Sequence, residues 1–443
     1  MMALPGPVRP SARVTGGHSA IAVRRSAVAV RHSAVVARRS ATAVLYSAIA
    51  AGHSAVAVGH SAVAVRYLAI AAGDSTGAVR YLAVAAGHSM VVRSSEAMKI
   101  TFLSPHIRIA GGVRAILTYA DRLVGRGHDV TVVVPTGSTW RAWSRNLRRR
   151  GPDWVEGFRA RVMWVRRWSA RGLPDGDVVV ATAWQSAGVV AGAPGRCGDK
   201  FYLVQHYESL YHGNAEAVDA TYRLPLRKIV ISTWLKDVMR ERFDAEAEVL
   251  VTPVDRELFH PVPVKVTTSG PRVLMLNHDY AWKGVAEGLT VVERVKLRVP
   301  GLRLVGFGLK PPRQPTSWDE YHVNPPQSEL AALYSGCEIY LCPSWDEGLG
   351  MPPMEAMACG AALVTYDNGG CRDYAHDGET ALVARRRDVD ELTAKLERMA
   401  ADPELRARLA KAGTALVTTA FDWDRSVERL EALFRRTHLG GRS

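Results

Sequence analysis

Glu347 and Glu355 stand eight positions apart in the stretch Cys342 to Tyr374, C-P-S-W-D-E-G-L-G-M-P-P-M-E-A-M-A-C-G-A-A-L-V-T-Y-D-N-G-G-C-R-D-Y. Here an apolar strand runs into a glycine-containing turn and then a helix. Such a turn presents backbone N–H groups at a helix N-terminus, where a negatively charged group such as a diphosphate is held. Gly348 and Gly350 permit the close approach. Glu347 lies in the turn and Glu355 inside the helix, so both can face one ligand while touching different parts of it. A carboxylate accepts two hydrogen bonds at once and so binds sugar hydroxyls well. The plain alternative is two surface glutamates in a loop and a helix.

This segment resembles the nucleotide-binding region of family 4 glycosyltransferases (glycosyl transferases group 1), whose signature is two glutamates separated by seven residues. The resemblance rests on the E-G-L-G-M-P-P-M-E-A-M-A-C-G core and on Gly369 and Gly370, and extends in weaker form over 98–437. It implies an α/β protein of the GT-B fold, two doubly wound Rossmann-like domains facing across a cleft. In that family the glutamate matching Glu355 holds the ribose hydroxyls, and the one matching Glu347 contacts the donor sugar. The amides of Gly348, Leu349, Gly350 and Met351 would then line sugar and phosphates.

The same resemblance assigns further positions. Gly111 and Gly112 look like the family's glycine loop near the donor phosphates. Lys283, in N-H-D-Y-A-W-K-G, sits where a lysine neutralises the leaving diphosphate. Asn277 stands where the family commonly has an arginine, so phosphate binding would rest on Lys283 and the amides, or on His278. His206, in F-Y-L-V-Q-H-Y-E, matches a histidine beside the reacting sugar. The V-Q-H-Y-E run with Ile231–Leu235 is similar to bacterial polysaccharide rhamnosyltransferases, which implies dTDP-rhamnose.

Resemblance also implies retention of anomeric configuration. A nucleophilic route needs two carboxylates about 5 Å apart, and no acid of the first domain suggests itself, so front-face transfer is expected. The D-x-D pairs Asp175–Asp177, Asp388–Asp390 and Asp422–Asp424 fall in loops or just before the last helix and read as turn and cap residues. No metal and no cofactor is expected; the nucleotide sugar is a substrate.

The elements that must position these residues follow from hydrophobic periodicity. Lys99 to Ser104, a helix from Val113 stopped at Gly125, and the β-branched run His128 to Pro135 form a βαβ unit. Further strands are expected at Asp177–Ala181, Lys200–Gln205 and Lys228–Ser232, closing a first domain, 98–254. A Pro-rich linker covers 255–270. A second domain, 271–422, is expected to have strands at Pro271–Asn277, Leu302–Gly306, Glu338–Pro343 and Ala361–Tyr366. Its helices fall at Lys283–Val299, Ser328–Ser335, Met354–Cys359 and Val389–Met399. A last amphipathic helix, 423–437, is placed back on the first domain.

The chain of 443 residues carries +14 formal charge, which raises nucleic acid or an anionic membrane as partners. Residues 1–97 hold ten arginines, no lysine and two acids, leaving +6 for the remainder. Serine recurs there at every seventh place, Ser19 to Ser61, without the apolar pair of a coiled-coil heptad. We read 1–97 as a disordered tail or a translated DNA repeat that is not part of the true product, with the functional chain starting at Met98 and no nucleic-acid partner. Five cysteines form no C-x-x-C pair and read as buried thiols of a cytoplasmic protein.

Residues 139–150 put Trp140, Trp143 and Leu147 on one helical face with Arg141, Arg145 and Arg148–Arg150 around it. Trp164, Arg166, Arg167 and Trp168 repeat the composition. Such a segment reads as a contact with an anionic membrane surface, or equally as a solvated helix. The expected activity is transfer of a sugar from a nucleotide sugar to a polysaccharide or lipid-linked acceptor. The rivals are a sugar-nucleotide epimerase or phosphorylase of the same fold, and a non-enzymatic sugar-nucleotide-binding protein.

Overall fold

Apolar β-branched strands alternating with amphipathic helices fold as parallel sheets covered on both faces, because both faces of such strands must leave water. The computed structural model describes residues 97–440 apart from 109, 138–150, 153, 156, 212–213, 266–269 and 314. The serine repeat and the basic tryptophan segment 139–150 therefore lie outside the described residues.

The first sheet is built from β1 Lys99–Leu103, β2 Asp129–Pro135, β3 Arg161–Val165, β4 Val178–Ala181, β5 Asp199–Val204, β6 Arg227–Val230 and β7 Ala247–Val249. Its order is β3-β2-β1-β4-β5-β6-β7, all parallel. The helices are α1 Gly111–Gly125, α2 Trp184–Ala191, α3 Ala215–Tyr222 and α4 Thr233–Phe243. The second sheet comprises β8 Arg272–Leu276, β9 Arg303–Gly308, β10 Glu320–Val323, β11 Ile339–Cys342, β12 Ala362–Tyr366 and β13 Ala381–Ala384. Its order is β10-β9-β8-β11-β12-β13, again parallel. With it go α5 Val285–Lys296, α6 Gln327–Ser335, α7 Met351–Ala358, α8 Val389–Ala401, α9 Pro403–Thr419 and α10 Trp423–Gly440.

Both sheets reverse strand order between a first strand and its later neighbour, β1/β4 and β8/β11. Ligands of open parallel sheets bind outside the carboxyl ends of strands at such switch points. The glycine pair follows β1, His206 follows β5, Lys283 follows β8 and Glu347 follows β11, so the topology delivers all of them to strand ends.

Several expectations are corrected. The elements β3, β7, β10, β13, α2, α3, α4 and α9 were not anticipated, mostly because the strands among them are short edge strands without a long apolar run. Trp164 lies in β3, paired with Val134, and Trp168 donates its indole N–H to the Val133 carbonyl at 3.2 Å. Both rings are half-buried against the core rather than displayed beside the exposed Arg166 and Arg167. The Pro-rich joint is anchored as well, since Phe259 is buried edge-on against Tyr334.

One apolar cluster runs from the first sheet through Leu349 and Met354 into the second. Helix α10 packs on the first domain through Phe434 against Phe201, the 2.6 Å contact of Tyr119 with Ser426, and Arg126 donating to Glu431. Asp388 caps α8 by accepting from Glu391 N, and Asp422 accepts from Asp424 and Arg425 N. All five cysteines are unpaired and buried, and burial pushes the thiols of Cys337, Cys359 and Cys371 up to about 12.

Candidate active site

The turn after β11 is fixed before it reaches any ligand. Trp345 N donates to the Trp282 carbonyl at 2.7 Å, tying it to the β8 turn, and Glu347 N donates to the Asn368 carbonyl at 2.9 Å. Gly350 precedes α7 with φ +93°, a conformation that L side chains rarely adopt. Pro352 and Pro353 occupy the first turn of α7, where their missing N–H groups cost no helical bond. The free amides of this cradle are accordingly those of Gly348 to Met351.

Gly348 touches the first domain. A Cβ added there would lie 1.9 Å from the Gln205 carbonyl oxygen and 3.3 Å from His206 Cα. The glycine pair before α1 faces the same place: a Cβ on Gly112 would lie 3.0 Å from Gln205 Oε1, and one on Gly111 would lie 4.0 Å from Met351 Cγ. Two glycine turns, one per sheet, thus meet at the end of β5.

Lys283 Nζ donates to Glu347 Oε1 at 2.6 Å, with side-chain exposures of only 20% and 11%. Burial penalises the Glu347 charge, but Lys283, His206 and Ser344 outweigh it and hold the carboxyl below its ordinary range. His206 is pushed the other way: burial lowers its imidazole below 6.5, with Lys283 adding to the fall and Glu347 opposing it. Its Nε2 is buried and has no hydrogen-bond partner among the described residues. Neutral at pH 7, it is free to meet a ligand hydroxyl.

Glu355 does not join that cluster. It is 5% exposed, and its oxygens are taken by Arg114 Nη1 at 2.9 Å and Tyr334 Oη at 3.0 Å. Burial raises its carboxyl above 4.5, and Arg114 and Tyr334 offset this only in part. Asn277 is also set apart, its Nδ2 donating to Tyr321 Oη at 2.9 Å. Burial and Lys283 lower His278, whose Nδ1 accepts from Tyr280 N.

The sequence reading missed Arg114, two positions after Gly112, and Asp346, which is held by Arg386 at 2.6 Å and by Tyr211 Oη. It also missed a stack across the two domains: Tyr211 on Trp282 at 3.9 Å between centroids, and Trp282 on Tyr280 at 4.2 Å. Adjacency to the glutamates and glycines was the available signal. Glu208, two positions past His206, is raised to about 7 by burial and accepts from Trp184 N at the start of α2.

Residues 263–416 match the family model described as "Glycosyl transferases group 1". Over this part the chain is similar to the group 1 glycosyltransferases. The O-antigen biosynthesis protein RfbC of Myxococcus xanthus is 30% identical over 274 residues, 58% of this chain and 20% of that protein. The chain spans between a fifth and about half of the length of the curated relatives it matches. Among solved structures, sucrose-phosphate synthase from Thermosynechococcus elongatus superposes with TM-score 0.63 at 17% identity, over 78% of this chain and all of that one. Anabaena Alr3699/HepE, in complex with UDP-glucose, gives 0.60 at 13% identity over 76% of this chain and all of that one. These likenesses establish the fold, which is GT-B. No described helix is long and apolar enough to cross a membrane.

Proposed function

We propose that this protein is a retaining glycosyltransferase that moves a hexosyl or deoxyhexosyl group from a nucleotide sugar to a polysaccharide or lipid-linked acceptor in cell-envelope glycan synthesis. The observation that carries the reading is the buried Lys283–Glu347 pair beside His206, where the glycine turns of both sheets meet. As the bond from the anomeric carbon to the diphosphate oxygen breaks, negative charge grows on that oxygen. Lys283 and the amides of Gly111, Gly112 and Gly348 to Met351 stabilise it. The acceptor oxygen bonds the anomeric carbon from the same face, and its proton passes to the departing phosphate oxygen. Glu347 and neutral His206 hold sugar hydroxyls, and Glu355 takes the ribose. No step calls for a metal.

The rhamnosyltransferase resemblance favours dTDP-rhamnose, while HepE, of the same fold, binds UDP-glucose. Release of nucleoside diphosphate from a panel of UDP-, GDP-, ADP- and dTDP-sugars, with the anomeric proton of the product followed by NMR, tests the reading. One base should dominate and the anomeric configuration should persist; an inverted product contradicts the mechanism.

Nucleotide affinity should weaken on acidification at a pH above 4.5, because a raised Glu355 loses its charge early. Folding stability runs oppositely: the neutral carboxyl favours the folded state in full below 4.5, and this contribution disappears as pH rises through the folded-state value. Glu355→Gln should remove this acid-side loss of affinity, which titration calorimetry across pH measures.

We further propose that the protein works at the inner membrane face through residues 139–150. Sedimentation with anionic vesicles should fall with salt and with replacement of Arg148–Arg150. Indifference to both contradicts it.

A further inference from the structure

The first turns of α1 and α7 lie side by side, Gly111 opposite Met351, and one turn along each helix Arg114 meets Glu355. The two residues come from different domains. The Arg114 side chain is 22% exposed, whereas that of Glu355 is 7% exposed. The Arg114 guanidinium stands 5.7 Å from the Phe259 ring centroid, and with the Gln327 amide oriented oxygen-inward its Nε donates to that oxygen at 3.0 Å and its Nη2 donates to the same atom. Arg386, another cation of the cleft, is engaged through two nitrogens by Asp346.

A buried carboxylate and a guanidinium in contact each need a partner of opposite character, or one is left with an uncompensated charge. A nucleoside diphosphate supplies both partners together: pentose hydroxyls that donate to a carboxylate, the 2' and 3' pair of a ribonucleotide or the 3' hydroxyl alone of dTDP, and phosphate oxygens that accept from a guanidinium in its two-pronged geometry. The ion pair is the arrangement that satisfies both side chains without ligand, and the ligand can replace each half of it.

We propose that Arg114 is a donor-binding residue which leaves Glu355 for the phosphate next to the nucleoside as Glu355 takes the ribose. This rests on the nucleotide-sugar reading of the cleft. It makes the first domain supply a phosphate contact as well as glycine amides, so that nucleotide binding itself draws on both domains.

Titration calorimetry on the full chain tests it, with the nucleoside, nucleoside monophosphate and nucleoside diphosphate of each of uracil, guanine, adenine and thymine. For the base that binds, Arg114→Gln should lose about tenfold to a hundredfold in affinity for the mono- and diphosphates and little for the nucleoside. Arg114→Lys should recover part of that loss, since it keeps the charge and lacks the fork. Equal or tighter phosphate binding by Arg114→Gln would overturn the proposal and make Arg114 a competitor for Glu355. If Arg114→Gln fails to fold, Arg114→Lys decides: a loss confined to the phosphates supports the proposal, and an equal loss across the series overturns it. If wild type binds none of the diphosphates, the nucleotide-sugar reading itself fails.

Discussion

Gly348→Ala is expected to lower kcat/KM about a hundredfold, the cost of displacing reacting groups by about 1 Å. The added methyl would stand 1.9 Å from the Gln205 carbonyl oxygen, about 1.5 Å short of ordinary contact. Backbone cannot yield as the end of a flexible side chain does, so the turn after β11 must withdraw from the end of β5. Glu347 and the amide cradle withdraw with it, away from His206 and the Gly111–Gly112 turn. Gly188→Ala is the matching control, because it lies inside α2 with open space around the added atom. That variant should keep full activity and gain about 0.4–1 kcal/mol of stability. Steady-state kinetics and chemical denaturation of the two variants check the pair of expectations.

Lys283→Ala should have the larger combined effect. It leaves Glu347 buried without its cation, and removing one partner of a buried pair costs about 3–5 kcal/mol. Turnover should fall by about a hundredfold to a thousandfold, the usual loss when a donor aimed at developing charge is deleted. The two effects separate in a cycle. Lys283→Met with Glu347→Gln removes both charges, so stability should recover while activity stays low. An active double variant would show that neither charge of the pair is needed for turnover and would contradict both assigned roles.

The fold was legible in the sequence where strands are long and apolar. β1, β2, β8 and β12 sit within a residue or so of their expected limits, and the alternation with helices gave both sheets. Short edge strands such as β7 and β13 escaped because three or four residues carry no period. α9 escaped for another reason: it follows α8 through a single residue, Asp402, which caps it by accepting from Leu405 N. Composition alone does not say that a tryptophan beside arginines is held against a strand, as Trp164 and Trp168 are.

At the site, the resemblance picked out Gly111, Gly112, His206, Lys283 and Glu347, and the structure brings these five to one place. Their partners were harder to see. The pairing of Arg114 with Glu355 joins residues 241 positions apart, and the stack of Tyr211 on Trp282 crosses from one domain to the other. Neither has a local signal. The same holds for Gly348, whose need for glycine comes from the Gln205 carbonyl of the other domain.

The central claim is that the cleft between the two sheets binds a nucleotide sugar through Glu355 and the glycine cradle. Thermal unfolding of the full chain with UDP, GDP, ADP and dTDP and their sugars tests it most directly, since a ligand of the native state raises apparent stability by mass action. The account predicts an upward shift with one base, rising with concentration and lost in Glu355→Ala. No shift with any nucleotide in a folded chain, or the same shift in Glu355→Ala, would contradict it.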